Sequence, residues 1–261
     1  MKTELSFDWR TTQAAIWRGK KGVLRPVIEV DLLPMATLLN IEPQKQAFCQ
    51  NLERFIRQQP SNHVLLWGAR GTGKSSLVKA ALHQYADQNV RVVEVEKQDI
   101  EDLPEISDLL RGLPWRFIVY LDDLTFEADD VRYRYLKVLM EGSIEKPPEN
   151  ILIMATSNRR HLMAEKMQDN LAGGSSPTGE IHYGDAVEES LSLADRFGLS
   201  LSFYRPNQQA YLECVDQLFT DYAGNRDELH RQAINFATQR GGRSGRVAQQ
   251  FYNGFSEHNA G

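Results

Sequence analysis

The sequence predicts an α/β protein in which a parallel sheet carries a phosphate-binding loop and a small all-helical unit follows. Three observations carry that expectation. Residues His63-Val64-Leu65-Leu66-Trp67-Gly68-Ala69-Arg70-Gly71-Thr72-Gly73-Lys74-Ser75-Ser76 read as a buried strand, a glycine turn and a helix start. Further along, continuous apolar runs alternate with helical stretches, the pattern of parallel strands joined by crossover helices. From Pro206 onward every stretch has helical spacing.

The glycine turn comes first because its chemistry is specific. Gly68, Gly73, Lys74 and Ser75 satisfy G-x-x-x-x-G-K-[ST]. Glycines at 68, 71 and 73 let backbone N–H groups curl around a phosphate without a Cβ in the way. Ala69, Arg70, Thr72 and Ser76 complete the cradle. The helix that starts near Gly73 aims its unpaired N–H groups at the same anion. Lys74 adds a charge for the β- and γ-phosphates, and the Ser75 hydroxyl is placed to ligate Mg²⁺. The expected ligand is a nucleoside triphosphate with its magnesium ion.

Composition bounds the rest. At 261 residues the chain has room for one large domain with a smaller appendage. Its net charge of -5 argues against non-specific nucleic-acid binding by the whole surface. Cys49 and Cys214 fit no metal or C-x-x-C spacing and lie on apolar helix faces, so buried thiols in a reducing compartment are expected. No signal-like stretch opens the chain, and no apolar run approaches the ~20 residues of a membrane span. A soluble, cytoplasmic protein without membrane contact is the expectation.

In chain order, residues 1–40 read as an irregular N-terminal arm, with Phe7, Trp9 and Trp17 among charges and Pro26 and Pro34 as breakers. Arg18, Lys20, Lys21 and Arg25 form either a solvated basic turn or a contact for an acidic partner. Glu42-Pro43-Gln44 opens a helix whose Phe48, Cys49, Leu52, Phe55 and Ile56 recur at helical spacing until Pro60. Val90 to Val95 mixes β-branched residues with charges and predicts a half-exposed edge strand. A short helix covers Leu103 to Leu110, and Phe117 to Leu121 is a buried strand. Asp129 caps a helix through Met140, and Ile151 to Ala155 is another buried strand. Residues 168–184, with Gly173-Gly174-Ser175-Ser176-Pro177, read as a mobile surface loop. Leu199 to Phe203 alternates as a fifth strand. Three helical stripes follow: Tyr211, Val215 and Phe219 beside Ala210, Cys214, Leu218 and Tyr222; then Leu229, Ala233 and Phe236; then Val247, Phe251 and Phe255. Domain boundaries fall at 1–40, 41–205 and 206–261.

Acids and bases gather where strands end. Asp122 and Asp123 follow the apolar run 117–121, at the strand end that faces the ligand in such sheets. Asp122 is placed to hold the Mg²⁺ water shell, and Asp123 to orient or deprotonate an attacking water. Asn158, in Ala155-Thr156-Ser157-Asn158-Arg159-Arg160, reads either as a sensor that bonds the water and the γ-phosphate or as a turn-forming Asn. Arg196, in Ala194-Asp195-Arg196-Phe197, reads either as an ordinary ion-pair residue or as a charge presented to a neighbouring subunit's nucleotide. Arg246, in Ser244-Gly245-Arg246, is placed to reach back onto the phosphates, with Arg243 competing for that role.

Together these pieces resemble the AAA+ ATPase superfamily: 68–75 its Walker A, 117–123 its Walker B, Asn158 its sensor 1, Arg196 its arginine-finger box and Arg246 its sensor 2. More narrowly, Ile41-Glu42-Pro43-Gln44-Lys45, Leu121 to Glu127, Ala155 to Arg160 and Ser192 to Gly198 resemble a bacterial AAA+ family known as a predicted ATPase domain of unknown function. The resemblance implies a five-stranded parallel sheet of order 5-1-4-3-2, a C-terminal helical lid, a preference for ATP over GTP and a ring-like homo-oligomer. Apolar Leu38, Leu39 and Ile41 are then placed to pack against the base. One departure stands out. Most AAA+ hydrolases carry Glu where this chain has Asp123, which is shorter by about 1.5 Å of reach. Slow hydrolysis is expected, with Glu127 a candidate helper.

The leading expectation is therefore an Mg-ATP hydrolase, with Lys74, Asp123, Asn158 and Arg196 catalytic, that assembles and remodels a protein partner. The alternatives are a nucleotide-gated binding module with little turnover, and a helicase-loader-like ATPase that contacts nucleic acid through Arg132, Arg134 and Lys137 with Tyr133 and Tyr135 interleaved.

Overall fold

The computed structural model describes residues 7–126, 130–159, 162 and 193–258, with side chains through 255. Glu127, Asp129, Arg160, Ser192 and the expected loop at 168–184 lie outside the described residues. Among the described residues seven strands form one sheet: β1 (Ala14–Arg18), β2 (Val23–Pro26), β3 (Val64–Gly68), β4 (Val90–Glu94), β5 (Arg116–Leu121), β6 (Ile151–Ser157) and β7 (Leu199–Phe203). Their order is β2-β1-β4-β5-β6-β3-β7. Every neighbouring pair is parallel except β1 and β2.

The sheet corrects two expectations. Residues 7–40 are not an irregular arm; β1 and β2 extend the sheet from five strands to seven. β4 is consequently no edge, because β1 pairs alongside it with Ala14 opposite Val92. Of the two charges that made β4 look exposed, Glu94 is exposed at the strand's end and Arg91 is not. Arg91 is buried, donating from Nε to the Trp9 carbonyl at 2.8 Å and from Nη1 to the Ala86 and Val90 carbonyls, with its guanidinium 4.0 Å from the Trp115 ring centroid. The hairpin is pinned further when Trp17 Nε1 donates to Asp102 Oδ2 at 2.8 Å.

Helices cover both faces. Adjacent Leu65 and Leu66 point to opposite sides, as the two-residue period of a strand requires. On one side α1 (Glu42–Ile56) and α2 (Lys74–Tyr85) bury Phe48, Leu52, Leu77 and Ala81 against Leu66, Ile118 and Met154. On the other, α3 (Leu103–Leu110) and α4 (Tyr133–Glu141) bury Ile106, Leu110 and Leu136 against Leu65, Val119 and Ile153. After β7 come α5 (Gln208–Leu218), α6 (Arg226–Gln239) and α7 (Gly245–His258), which share a cluster of their own around Tyr211, Val215, Phe219, Leu229, Ala233 and Phe251. Asn207 and Asn225 cap α5 and α6 by accepting backbone N–H groups. Cys49 and Cys214 are free thiols but only half-buried, short of the full burial expected. Among the described residues no helix is long and apolar enough to cross a membrane.

His63, at the entry to β3, accepts the Ile153 N–H at Nδ1 (3.0 Å) and ties β3 to β6. Burial pushes its pKa from 6.5 down to about 4, opposed by a hydrogen bond to the Met140 carbonyl. The folded state therefore resists protonation that the unfolded chain accepts. Stability from this group is full above the unfolded pKa and falls as pH drops from about 6.5 toward 4, by up to about 3 kcal/mol. Urea titrations at pH 7 and pH 5 should show a smaller pH-dependent loss for His63→Asn, whose amide oxygen can still accept the Ile153 N–H.

Candidate functional site

Three neighbouring parallel strands, β5, β6 and β3, end at one edge of the sheet, and each delivers a polar segment there. β3 runs into the glycine turn. Gly68, Gly71 and Gly73 have φ values of 132°, 75° and 97°, in the region glycine favours. Gly68 also has no room for a side chain, since a Cβ there would sit 2.0 Å from the Phe203 carbonyl oxygen. Beside it the Ala69 N–H donates to that same carbonyl at 3.0 Å. The end of β7 thus fixes the start of the loop. Thr72 Oγ1 donates to the Ala69 carbonyl at 2.8 Å and closes the turn on itself.

α2 begins directly after Gly73. Its first residue, Lys74, is only 7% exposed. The ammonium donates to the carbonyls of Gly68 (2.9 Å) and Ala69 (2.8 Å) and lies 3.4 Å from Asn158 Oδ1. Burial pulls the Lys74 pKa below its usual range. Asp123 and Asp122 oppose that shift, and the charges of Arg246 and Arg70 add to it. Ser75, one residue on, donates from Oγ to Asp122 Oδ1 at 2.9 Å.

β5 ends in the acid pair. Asp122 Oδ1 also accepts Tyr120 OH at 2.7 Å and Thr156 Oγ1 at 2.5 Å. Burial works to raise the Asp122 pKa, but the hydroxyls of Thr156, Tyr120 and Ser75 outweigh it and hold the carboxyl below its ordinary value. Asp123 has a positive φ of 49°, and its N–H donates to Thr156 Oγ1 at 2.9 Å. Its carboxylate accepts Asn158 Nδ2 and faces Arg70 Nη2 at 3.7 Å. An all-oxygen corner of a serine hydroxyl beside a carboxylate suits Mg²⁺, a hard cation that prefers oxygen. Ser75 and Asp122 are the residues that would hold it.

The last three helices reach the same place. Ser244 is buried and its Oγ accepts the Val247 N–H at 3.2 Å, capping α7. A Cβ on Gly71 would lie 2.9 Å from Ser244 Oγ and 3.3 Å from Arg246 Cβ, so the first turn of α7 rests on the loop. Arg246 stands there, whereas Arg243 Nη2 is engaged with Gln208 Oε1 of α5 at 3.2 Å. On the opposite flank Ile41 approaches Gly73, and Asn40 Nδ2 donates to the Ala210 carbonyl of α5 at 3.2 Å. Leu38 and Ile41 are already part of the core packed on α1 and α2, and Leu39 is half-buried.

Lys74, Ser75, Asp122, Asp123, Asn158, Arg70 and Arg246 therefore converge. Arg196 is placed differently: its side chain is 18% exposed, and Nε lies 2.7 Å from Glu141 Oε1 at the end of α4. Of its two expected roles, the ion pair is the one seen in this chain. The α4 surface expected to meet nucleic acid is also altered. Tyr133 is buried against Phe126, and Arg132 is held by Asp130 at 2.6 Å. Thr156 and Tyr120 are site residues that the motif reading passed over. The only signal was a hydroxyl near the end of an otherwise apolar strand.

Comparison with known proteins fits this geometry. The profile of a family described as "Protein of unknown function (DUF815)" matches residues 10–259. A segment of 98 residues is 34% identical to the replication factor C large subunit of Staphylothermus marinus, spanning 34% of this chain and 22% of that protein. The chain thus covers about a fifth of the curated relative it matches. Among solved structures, the FIGL-1 AAA domain in complex with ADP aligns at a TM-score of 0.55 with 16% identity, over 85% of this chain and 72% of that one. The Thermotoga maritima RuvB Holliday junction branch migration motor aligns at 0.46 with 14% identity, over 84% and 71%. The fold is that of AAA+ P-loop proteins.

The Gly68 contact gives a direct test of the loop's packing. Gly68→Ala forces a Cβ onto the Phe203 carbonyl at a backbone conformation L-residues rarely adopt. A loss of about 3 kcal/mol or more is expected in urea unfolding.

Proposed function

The chain belongs to the DUF815 family of proteins of unknown function, and we propose that its site binds Mg-ATP and hydrolyses it to ADP and phosphate. The observation that carries this reading is the convergence of Lys74, the Ser75–Asp122 pair and the Asn158–Asp123 pair at the ends of adjacent strands. Lys74 exchanges the Gly68 and Ala69 carbonyls for the β- and γ-phosphates. Ser75 and Asp122 would hold Mg²⁺, which would supply neutralisation of the phosphate charge. Asn158 and Asp123 orient the attacking water, and Asp123 takes its proton. Arg246 carries phosphate occupancy to the 206–261 lid, whose closure and reopening follow the nucleotide.

Assembly is the second part of the proposal. Arg196 acts in trans on a neighbouring subunit's nucleotide, in a ring-like homo-oligomer that remodels a protein partner. For that, Arg196 must leave Glu141. An arginine finger supplies about 10³–10⁵ in rate, or roughly 4–7 kcal/mol of barrier, so an isolated subunit would be nearly inactive. A specific observation also favours a second reading, a nucleotide-gated binding module with little turnover: Asp123 is held by Asn158 and Arg70, and Arg196 by Glu141.

ATPase rate per subunit, measured across protein concentration with Lys74→Ala as the blank, separates the two. The motor reading expects a rate that climbs with concentration and falls about 10³-fold in Arg196→Ala. A rate at the blank level throughout, with ATP still bound, sinks the motor and leaves the gated module.

The backbone at Asp123 yields a further expectation. Asp tolerates positive φ better than Glu because its short side chain bonds locally. Asp123→Glu should therefore lower thermal stability by about 0.5–1 kcal/mol and leave the hydrolysis rate no faster than wild type in the same assay.

A further inference from the structure

Thr156 lies on β6, where Leu121 of β5 pairs with Ala155. The next step along both chains brings Thr156 beside Asp122. Here β5 leaves the sheet, and the regular ladder between the two strands stops. Three of the contacts that replace it come from one residue. Thr156 Oγ1 donates its only proton to Asp122 Oδ1 at 2.5 Å and accepts the Asp123 N–H at 2.9 Å. The Thr156 carbonyl accepts the Leu124 N–H at 2.7 Å. Two consecutive acids thus hang on the hydroxyl of Thr156 and the next residue on its carbonyl, and Thr156 is 2% exposed.

The hydroxyl is out of place on packing grounds alone. β6 is buried along its length, and Ile151 to Ala155 are all apolar. A valine would fill the same volume without a polar group to satisfy. The two bonds also do different jobs. One orients the carboxylate beside Ser75, and the other fixes the peptide whose positive φ aims Asp123 at Asn158.

We infer that Thr156 is the positioning residue of this site, setting the metal-side carboxylate of Asp122 and the water-side carboxylate of Asp123 together through one buried hydroxyl. The inference rests on the reading of the site as an Mg-nucleotide centre. It differs from a packing role in one respect: it predicts coupled loss at both acids, with recovery by any residue that restores the hydroxyl.

The test compares wild type, Thr156→Val and Thr156→Ser in the full chain, with two readouts. The first is the Mg²⁺ concentration that half-saturates binding of a fluorescent ADP analogue, which needs no turnover. The second is kcat and KM for ATP. In Thr156→Val the Mg²⁺ requirement should rise about tenfold and kcat fall about ten- to a hundredfold, with KM changed by less than about threefold. Thr156→Ser should return both toward wild type. If Thr156→Val does not fold, Thr156→Ala takes its place in the same comparison. A folded variant without the hydroxyl that keeps wild-type Mg²⁺ requirement and kcat overturns the inference. So does a Thr156→Ser protein as impaired as Thr156→Val, since that marks packing by the methyl group. Wild type that binds no nucleotide in the presence of Mg²⁺ removes the nucleotide reading itself, and the inference falls with it. A wild type that binds but does not turn over leaves the Mg²⁺ comparison to decide.

Discussion

A buried ammonium is the constraint on which this site depends. Lys74 sits in the first turn of α2, almost out of solvent, and a charge there is tolerated only if oxygens surround it. The loop itself supplies two, the carbonyls of Gly68 and Ala69. They face inward only because the chain takes conformations open to glycine and because β7 presses the Phe203 carbonyl against the loop's base. Charge, loop shape and strand order therefore support one another. Removing the close approach at Gly68 would disturb the ammonium as much as the sheet.

The two acids near that ammonium are satisfied in different ways. Asn158 bridges Lys74 and Asp123, and Arg70 stands on the far side of Asp123. Asp122 is satisfied by three hydroxyls instead of by a cation, which keeps it ionised without closing the corner beside Ser75. A polyphosphate would compete for Lys74 and Arg70 together, and so would act on Asp123 through both. Ligand and acid are thus linked by electrostatics before any large movement.

Legibility from sequence followed locality. The loop, the acid pair and Asn158 were readable because each lies in one short segment whose residue types suit a single chemistry. The strands 117–121 and 199–203 were readable from apolar period and length. β1 and β2 were not, since they are short, carry Pro26 and interleave aromatics with charges; β1 is a strand because it pairs with β4, Ala14 opposite Val92, and β2 because it pairs with β1. Arg91 misled for the same cause: a charge in a strand reads as exposed unless its three carbonyl acceptors are known. Thr156 was hidden because its importance lies in where β6 places it relative to β5. Arg196 resembled a finger by motif, yet its neighbour Glu141 comes from α4, a contact that no local pattern announces.

Gly71 shows how the two parts of the chain are joined. Its φ of 75° alone would favour glycine, but Asn or Asp tolerates such an angle too. The contact with α7 is stricter, because any Cβ would meet Ser244, itself buried and committed to capping that helix. The first turn of α7 can rest on the loop only while residue 71 has no side chain. Arg246 follows Ser244 by two residues, so the same contact sets how near its charge comes to Lys74. The closeness of α7 to the loop and the electrostatics around Lys74 are therefore one variable: whatever lifts α7 from Gly71 also withdraws a positive charge from beside Lys74. A bound triphosphate, which gains from that charge, favours the seated position. On the proposed reading of the site, a nucleotide with one phosphate fewer would leave less negative charge to hold it, and the helical unit would respond to the state of the nucleotide.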